Sequence, residues 1–287
     1  MNIKMMWKKV ILTATAALTI GGASFAATPA ETYAEAAQNT LAQPSVEYAL
    51  NLDITMPLMG SMNINGTLAA KDLPTLQGKG AFTTSVAGNV VGTTNIYVEQ
   101  TGKTVTFYYS MTKDDGQTTW KKQTQELTSE HAIADYLKDK HNVMSGVKSV
   151  QALGNNDYAV VFDSSRIYNK DTIQSLKLKY GSDEKTIDLT EKVLQALQQA
   201  GDITTTVTID PTTKRITNIA LPMTSQLRQI ALTILENSAG GDTNPAVLKQ
   251  VIMNSDMSLS VAINDLPAGI DFTIPQDIKS QAVASNK

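Results

Sequence analysis

The sequence predicts an α+β fold: one long antiparallel sheet curved over a few helices. Three observations carry that prediction. Apolar and polar side chains alternate at period two along most of the chain, turn residues separate these runs, and a few stretches switch to the three-and-four spacing of an amphipathic helix. No composition shift, proline-rich or Gly/Ser linker, or fixed-period repeat interrupts them. Residues 27–287 therefore read as one domain.

The elements follow in order. Thr28-Pro29-Ala30-Glu31 opens an alanine-rich amphipathic stretch reaching Leu41. Threonine caps, proline suits the first turn, and glutamate complements the helix dipole. At Val46 the period becomes two: Val46, Tyr48, Leu50, Leu52, Ile54 and Met56 point one way, and Glu47, Asn51, Asp53 and Thr55 the other. Gly60 breaks the run, after which Met62, Ile64 and Leu68 alternate with Asn63, Asn65 and Thr67, making 46–70 a hairpin. Strands at 76–86 and 90–99 flank the turn Gly88-Asn89. Another at 103–111 sets Val105, Phe107 and Tyr109 on one face, and 118–122 follows the turn Asp114-Asp115-Gly116.

Apolar spacing turns helical after Thr128-Ser129-Glu130, from His131 through Leu137, and this helix ends before Gly146. Strands at 147–153 and 158–163 flank Gly154-Asn155-Asn156, and a second interior helix runs from Thr190 to its stop at Gly201. The clearest hairpin pairs 203–209 with 215–221 around Asp210-Pro211-Thr212-Thr213-Lys214. Residues 227–235 suit a helix, and Gly240-Gly241-Asp242 interrupts before 246–252. Strands at 257–263 and 270–274 close the chain ahead of a frayed polar tail from Lys279. The expected total is about eleven strands with four or five short helices.

The 287 residues are 42% hydrophobic and 18% charged, enough apolar material for one sizeable core. There is no cysteine, which excludes disulfides, thiolate metal sites, thiol nucleophiles and a lipid-anchoring cysteine. A pI near 5.5 speaks against nucleic acid as a partner. At the N-terminus Lys4, Lys8 and Lys9 precede the apolar run 10–20, then Gly21, Gly22 and Ala23-Ser24-Phe25-Ala26-Ala27. That is the pattern of a secretory signal peptide, 1–26, cleaved after Ala26. The run is shorter than the roughly twenty residues that span a bilayer. The expected product is periplasmic or extracellular and not lipid-anchored. Without the signal it carries a net charge of about −6.

Clean alternation leaves one sheet face wet and one dry, with only the helices to cover the dry one. Short helices leave room in such a concavity, and the inward positions include flexible methionines, Met56, Met62 and Met257, beside Phe107 and Tyr109. Met56, Met62, Phe107 and Tyr109 are therefore the candidate lining of a cavity for an apolar ligand. The plainer reading of the same side chains is that they simply make a filled core.

Candidate chemistry is sparse. His131, Asp135 and Asp139 share a helical face and could offer a nitrogen and two oxygens to a metal, with His141 facing elsewhere. Lys138 and Lys140 intervene and no His-Glu-x-x-His pattern exists, so a solvated charged face accounts for them. Met56, Met59 and Met62 have thioethers suited to Cu(I), but Pro57 and Gly60 put them at a hairpin tip where the sulfurs need not converge. Ser145-Gly146-Val147-Lys148 fits Ser-x-x-Lys without the companion Ser-Asp-Asn, and no Gly-x-Ser-x-Gly elbow occurs. Glu47, Asp53, Asp114 and Asp115 occupy wet or turn positions. Gly78-Lys79-Gly80 lacks phosphate-loop spacing. Asn65-Gly66-Thr67 is a formal glycosylation sequon. No catalytic residue, metal or cofactor is expected.

In the order of its elements the chain resembles the periplasmic lipoprotein-carrier superfamily of the LolA/LppX type, nearest to its uncharacterised secreted bacterial members. The likeness rests on an N-terminal helix running into Ser45-Val46-Glu47-Tyr48-Ala49-Leu50-Asn51-Leu52, and on the hairpin Val207-Thr208-Ile209-Asp210-Pro211-Thr212-Thr213-Lys214-Arg215-Ile216. The ending Asn264-Asp265-Leu266-Pro267-Ala268-Gly269-Ile270-Asp271-Phe272-Thr273-Ile274-Pro275 completes it. The resemblance implies an incomplete antiparallel β-barrel wrapped around a few helices that form a lid, enclosing a cavity for acyl chains. Two departures stand out. The lipoprotein cysteine is absent, and none of Arg166, Arg215 and Arg228 matches a carrier's lid-latching arginine.

Three readings follow. The first is a secreted lipid- or lipoprotein-binding carrier with a hydrophobic ligand and peripheral contact with membrane or lipoproteins. The second is a cell-envelope structural or interaction protein with a filled core. The third, an envelope hydrolase using Ser145 and Lys148 or His131, requires turnover lost in Ser145→Ala or His131→Ala.

Overall fold

The computed structural model describes residues 27–57, 60–71, 75–113, 116–127, 144–167, 184–237 and 245–284. The proposed signal peptide and the helix expected from His131 lie outside them. Twelve strands are described: β1 (Ser45–Met56), β2 (Gly60–Lys71), β3 (Gln77–Val86), β4 (Asn89–Thr101), β5 (Thr104–Lys113), β6 (Thr118–Glu126), β7 (Val147–Gly154), β8 (Asp157–Phe162), β9 (Ile203–Asp210), β10 (Arg215–Pro222), β11 (Asp256–Asn264) and β12 (Val283–Ala284). The helices are α1 (Pro29–Leu41), α2 (Ser164–Ile167), α3 (Glu184–Gln199), α4 (Thr224–Asn237), α5 (Pro245–Met253) and α6 (Gln276–Gln281). The strands are ordered β12-β6-β5-β4-β3-β2-β1-β11-β10-β9-β8-β7 in a sheet that stays open. The fold is thus of the expected α+β, incomplete-barrel class. Its chain divides into two compact units.

The first unit holds α1, β7 to β10 and α2 to α5. A reciprocal capping box starts α1: the Thr28 amide donates to the Glu31 carboxylate at 2.8 Å, and the Glu31 amide to the Thr28 hydroxyl at 3.3 Å. The Thr28 amide and the Thr28 hydroxyl, each donating to the carboxylate at 2.8 Å, hold the Glu31 carboxyl below its usual range. The helix buries Tyr33, Ala36, Ala37 and Thr40. At its far end the Thr40 hydroxyl donates to the Ala36 carbonyl and accepts from the Ile216 amide at 2.8 Å, so α1 is tied to β10. Lys214 reinforces the junction: its carbonyl accepts from Asn39 and its ammonium reaches Glu35, each at 3.0 Å. β9 alternates as expected, burying Ile203, Thr205, Val207 and Ile209. In the β9–β10 turn, Asp210 Oδ1 accepts from the Thr213 and Thr212 amides at 2.7 and 2.8 Å, lowering its pKa.

The second unit holds β2 to β6, α6, β12 and most of β1 and β11. Its registers are antiparallel from β2 through β6, and β12 joins β6 in parallel, with Val283 opposite Lys121. Here the structure corrects the sequence. Residues 270–274 form no strand, although they alternate. Gly269 has φ +81°, Asp271 Oδ1 takes the Thr273 amide at 2.8 Å, and Pro275 starts a helix, so local bonds replace a ladder. From Lys279 to Ala284 the tail is ordered rather than frayed, continuing α6 and then forming β12.

Candidate functional site

Registers divide the second unit's sheet into two faces of different chemistry. Ile96 pairs with Tyr109, Val98 with Phe107, Gly80 with Leu68, and Met62 with Val86. Pairing across Gly78–Val98 and Gly80–Ile96 puts these side chains on one face. From Met62 to Ala70 on β2, Gly78 to Val86 on β3, and Val105 to Tyr109 on β5, the alternate positions of this face carry no charged residue. Met62, Ile64, Leu68, Phe82, Ile96, Phe107 and Tyr109 are all half-buried there.

Glycine shapes the same surface. A methyl on Gly66 would lie 2.0 Å from the Ala81 carbonyl oxygen and 2.8 Å from a ring carbon of Phe82, so the Phe82 ring lies over the glycine. A methyl on Gly80 would meet the Thr67 carbonyl at 2.7 Å. Phe82 and Leu68 thus fill the space that the glycines leave, and close approach of β2 and β3 leaves no room for a larger residue there.

The opposite face is closed. Tyr108, 7% exposed, packs with Ile274, Ile278 and Ala282, with Tyr97 and Trp120 at the edge. Glu99 sits beside them, accepting from the Tyr108 hydroxyl at 3.1 Å and from Lys279 at 2.6 Å. Burial first, and the Glu99 charge second, push the Tyr108 phenol up. Farther along, the face is polar: Asn63 donates to both Asn51 and Asp53 at 2.7 Å, and Asn65 to Asn63. Sequence reading missed Tyr108 because its cover, α6, is remote in the chain.

Of the four expected lining residues, Met62, Phe107 and Tyr109 stand on the first, largely apolar face, where Lys121 of β6 is opposite Tyr109. Phe107 packs against Leu76, Val98 and Val105, which makes it a margin of the core. Met56 is half-buried at the end of β1 and belongs to the first unit. Met257, also half-buried, uses its carbonyl to accept the Met223 amide at 2.8 Å.

The alternative chemistries fare differently. Lys148 donates to Asp202 at 2.6 Å, and that bond and charge raise its pKa, whereas a general base would need it lowered. Ser145 is exposed in the turn before β7. Arg166 pairs with Asp163 at 3.4 Å, and Arg228 with Asp256 at 3.3 Å. Arg215 stands opposite Asp210 in the β9–β10 register. Among the described residues no three His, Asp or Glu side chains gather to hold a metal. His131, Asp135, Asp139, His141 and Met59 lie outside them. No described helix is long and apolar enough to cross a membrane.

No family model and no curated protein matches the sequence. The crystal structure of LprF from Mycobacterium bovis is similar at 10% identity and a TM-score of 0.33, covering 85% of this chain and 95% of that one. That is a distant likeness, of fold alone, and the site's chemistry is argued from its own residues.

Proposed function

We propose that this is a secreted carrier of a lipid or acyl chain, related in fold to the LolA/LppX-type carriers and acting without a catalytic group. The observation that supports it is the apolar stretch that β2 to β5 present on one face of the second unit's sheet, bordered by Lys113 of β5 and Lys121 of β6. Met62, Ile64, Leu68, Phe82, Ile96 and Tyr109 are half-buried there, Val98 and Val105 are buried at one end, and the only helix described in that unit, α6, lies on the other side. A surface of that kind gains by covering methylenes, at about 0.8 kcal/mol each, so a sixteen-carbon chain would contribute on the order of 10 kcal/mol before ordering costs. Met62 and Tyr109 are the proposed contact residues; the stretch favours apolar length, and Lys121 lies opposite Tyr109 at its border. The signal-like N-terminus supports delivery beyond the cytoplasmic membrane.

The test is chemical. Protein secreted from residue 27 onward is purified without detergent, denatured and extracted with organic solvent, and the extract is compared by mass spectrometry with a secreted control from the same host. Near-stoichiometric enrichment of one lipid class is the expected result. Extracts matching the control, with no uptake of a fluorescent acyl probe, would leave the filled-core interaction protein as the better account.

A further inference from the structure

One extremity of the second unit's sheet ends in a turn of unusual composition. β3 and β4 are joined through Ala87 and Gly88, with φ of +49° and +82°. Two successive left-handed residues make the tight primed turn of a β-hairpin, where Asn, Asp or Gly normally stands first. Here a plain methyl occupies that place. The Ala87 amide donates to the Ser61 carbonyl at 2.7 Å, which fastens the tip to the start of β2. Immediately after the turn, Val90 and Val91 are 62% and 42% exposed. Ser85 pairs with Val90 and Thr84 with Gly92, so Val91 is the additional residue of a bulge and stands outside the ladder. On the neighbouring strand Lys113 is opposite Gly92, one step inward of the valines. No Asp, Glu, Lys, Arg or His occurs between Lys79 and Glu99, nor between Asp53 and Lys71.

We propose that the β3–β4 tip is a membrane-contact site whose valines enter the interfacial zone of a lipid bilayer. The absence of charge on β3 and β4 around the tip favours a bilayer over a protein, and Lys113 of β5, opposite Gly92, has a stem long enough to hold its ammonium at headgroup level. Protein interfaces keep a polar, often charged rim, whereas an apolar medium penalises every charge brought to it. The tip also presents far less than the roughly 800 Å² per partner that a stable protein interface needs. A bilayer sets no such area requirement and gains from each aliphatic group that enters it. Contact through two valines is weak and reversible, which suits a protein that visits a membrane. The contact does not depend on the carrier reading, because a protein with a filled core would dock by the same tip.

Flotation with phosphatidylcholine vesicles, neutral or doped with phosphatidylglycerol, tests it at low and high salt. The secreted wild-type chain is expected to float with neutral vesicles to the same extent at both. Val90→Asp with Val91→Asp should lower the bound fraction at least about five-fold. Val247→Asp, at an exposed valine of α5 in the other unit, should change nothing. A Val90→Trp variant supplies a gain-of-signal check, since brominated acyl chains should quench its added fluorescence. Wild-type protein that stays in buffer, a double variant that still floats, equal loss in Val247→Asp, or added indole fluorescence that the brominated chains leave unquenched would each overturn the proposal. So would binding confined to anionic vesicles and abolished by salt, or a wild-type dimer that the double variant dissociates. Lipid found in the extract without flotation would refute the tip alone, and flotation without lipid would refute the carrier alone.

Discussion

Tyr33 is 2% exposed, and among the described residues its hydroxyl has no hydrogen-bond partner. A buried hydroxyl left unpaired costs about 1–3 kcal/mol, which the packing of the ring offsets. Tyr33→Phe should therefore match or exceed the wild-type Tm, while Tyr33→Ala should lose about 3–5 kcal/mol in denaturant unfolding. Burial also pushes the Tyr33 phenol far above its ordinary value. The sign follows from linkage: up to pH about 10 both folded and unfolded states hold the proton, and above it only the unfolded chain ionises, so stability falls as pH rises. Tyr33→Phe should flatten that alkaline decline relative to wild type in urea melts between neutral and strongly alkaline pH. At the start of the same helix, Thr28→Ala removes one half of the capping box and should cost about 1 kcal/mol by thermal melting. That cap was legible in the sequence because its partners are three residues apart. The burial of Tyr33 was not, since it depends on what α1 packs against.

At the scale of elements, α6 is the test of how the second unit is closed. Ile278 is 7% exposed against Tyr108, and Trp120 borders that cluster. Ile278→Ala should cost about 2–4 kcal/mol. Trp7 and Trp120 are the two tryptophans, so in protein produced from residue 27 onward Trp120 reports alone. Its emission should shift to the red in Ile278→Ala, and the C-terminal segment should become open to protease. The Lys279–Glu99 pair, about a third exposed on each side, contributes little by comparison. Glycine gives a second element-scale outcome. Gly66→Ala would drive a methyl against the Ala81 carbonyl, so β2 and β3 must part, and stability should drop by at least about 2 kcal/mol. The hairpins were legible because their turns are written locally, as at Asp210 to Lys214. The closing strand was misread because alternation is a property of one segment, whereas a strand also needs a partner. At 270–274 an Asx turn and Pro275 claim the backbone first, and the place beside β6 goes to β12.

For the whole molecule, the carrier reading makes Tyr109 a ligand contact. Tyr109→Ser should weaken acyl-probe binding about ten-fold while leaving the circular dichroism spectrum unchanged, as removing some 60 Å² of apolar contact implies. Unchanged probe affinity would take Tyr109 out of the site. Intact mass of the secreted product should place its first residue at Ala27, one residue before the box that starts α1.

The sequence by itself determined the α+β class, the hairpin registers that turns dictate, the cap of α1 and the uncharged stretches on β2 to β4, because each depends on residues close in the chain. Only the tertiary structure decided which sheet face is covered. Period two separates Phe107 and Tyr109 from Tyr108, but it cannot say which set is closed off. That choice was made by α6, whose Lys279 meets Glu99 across 180 residues of chain. Burial is a relation between distant segments, and no local pattern encodes it.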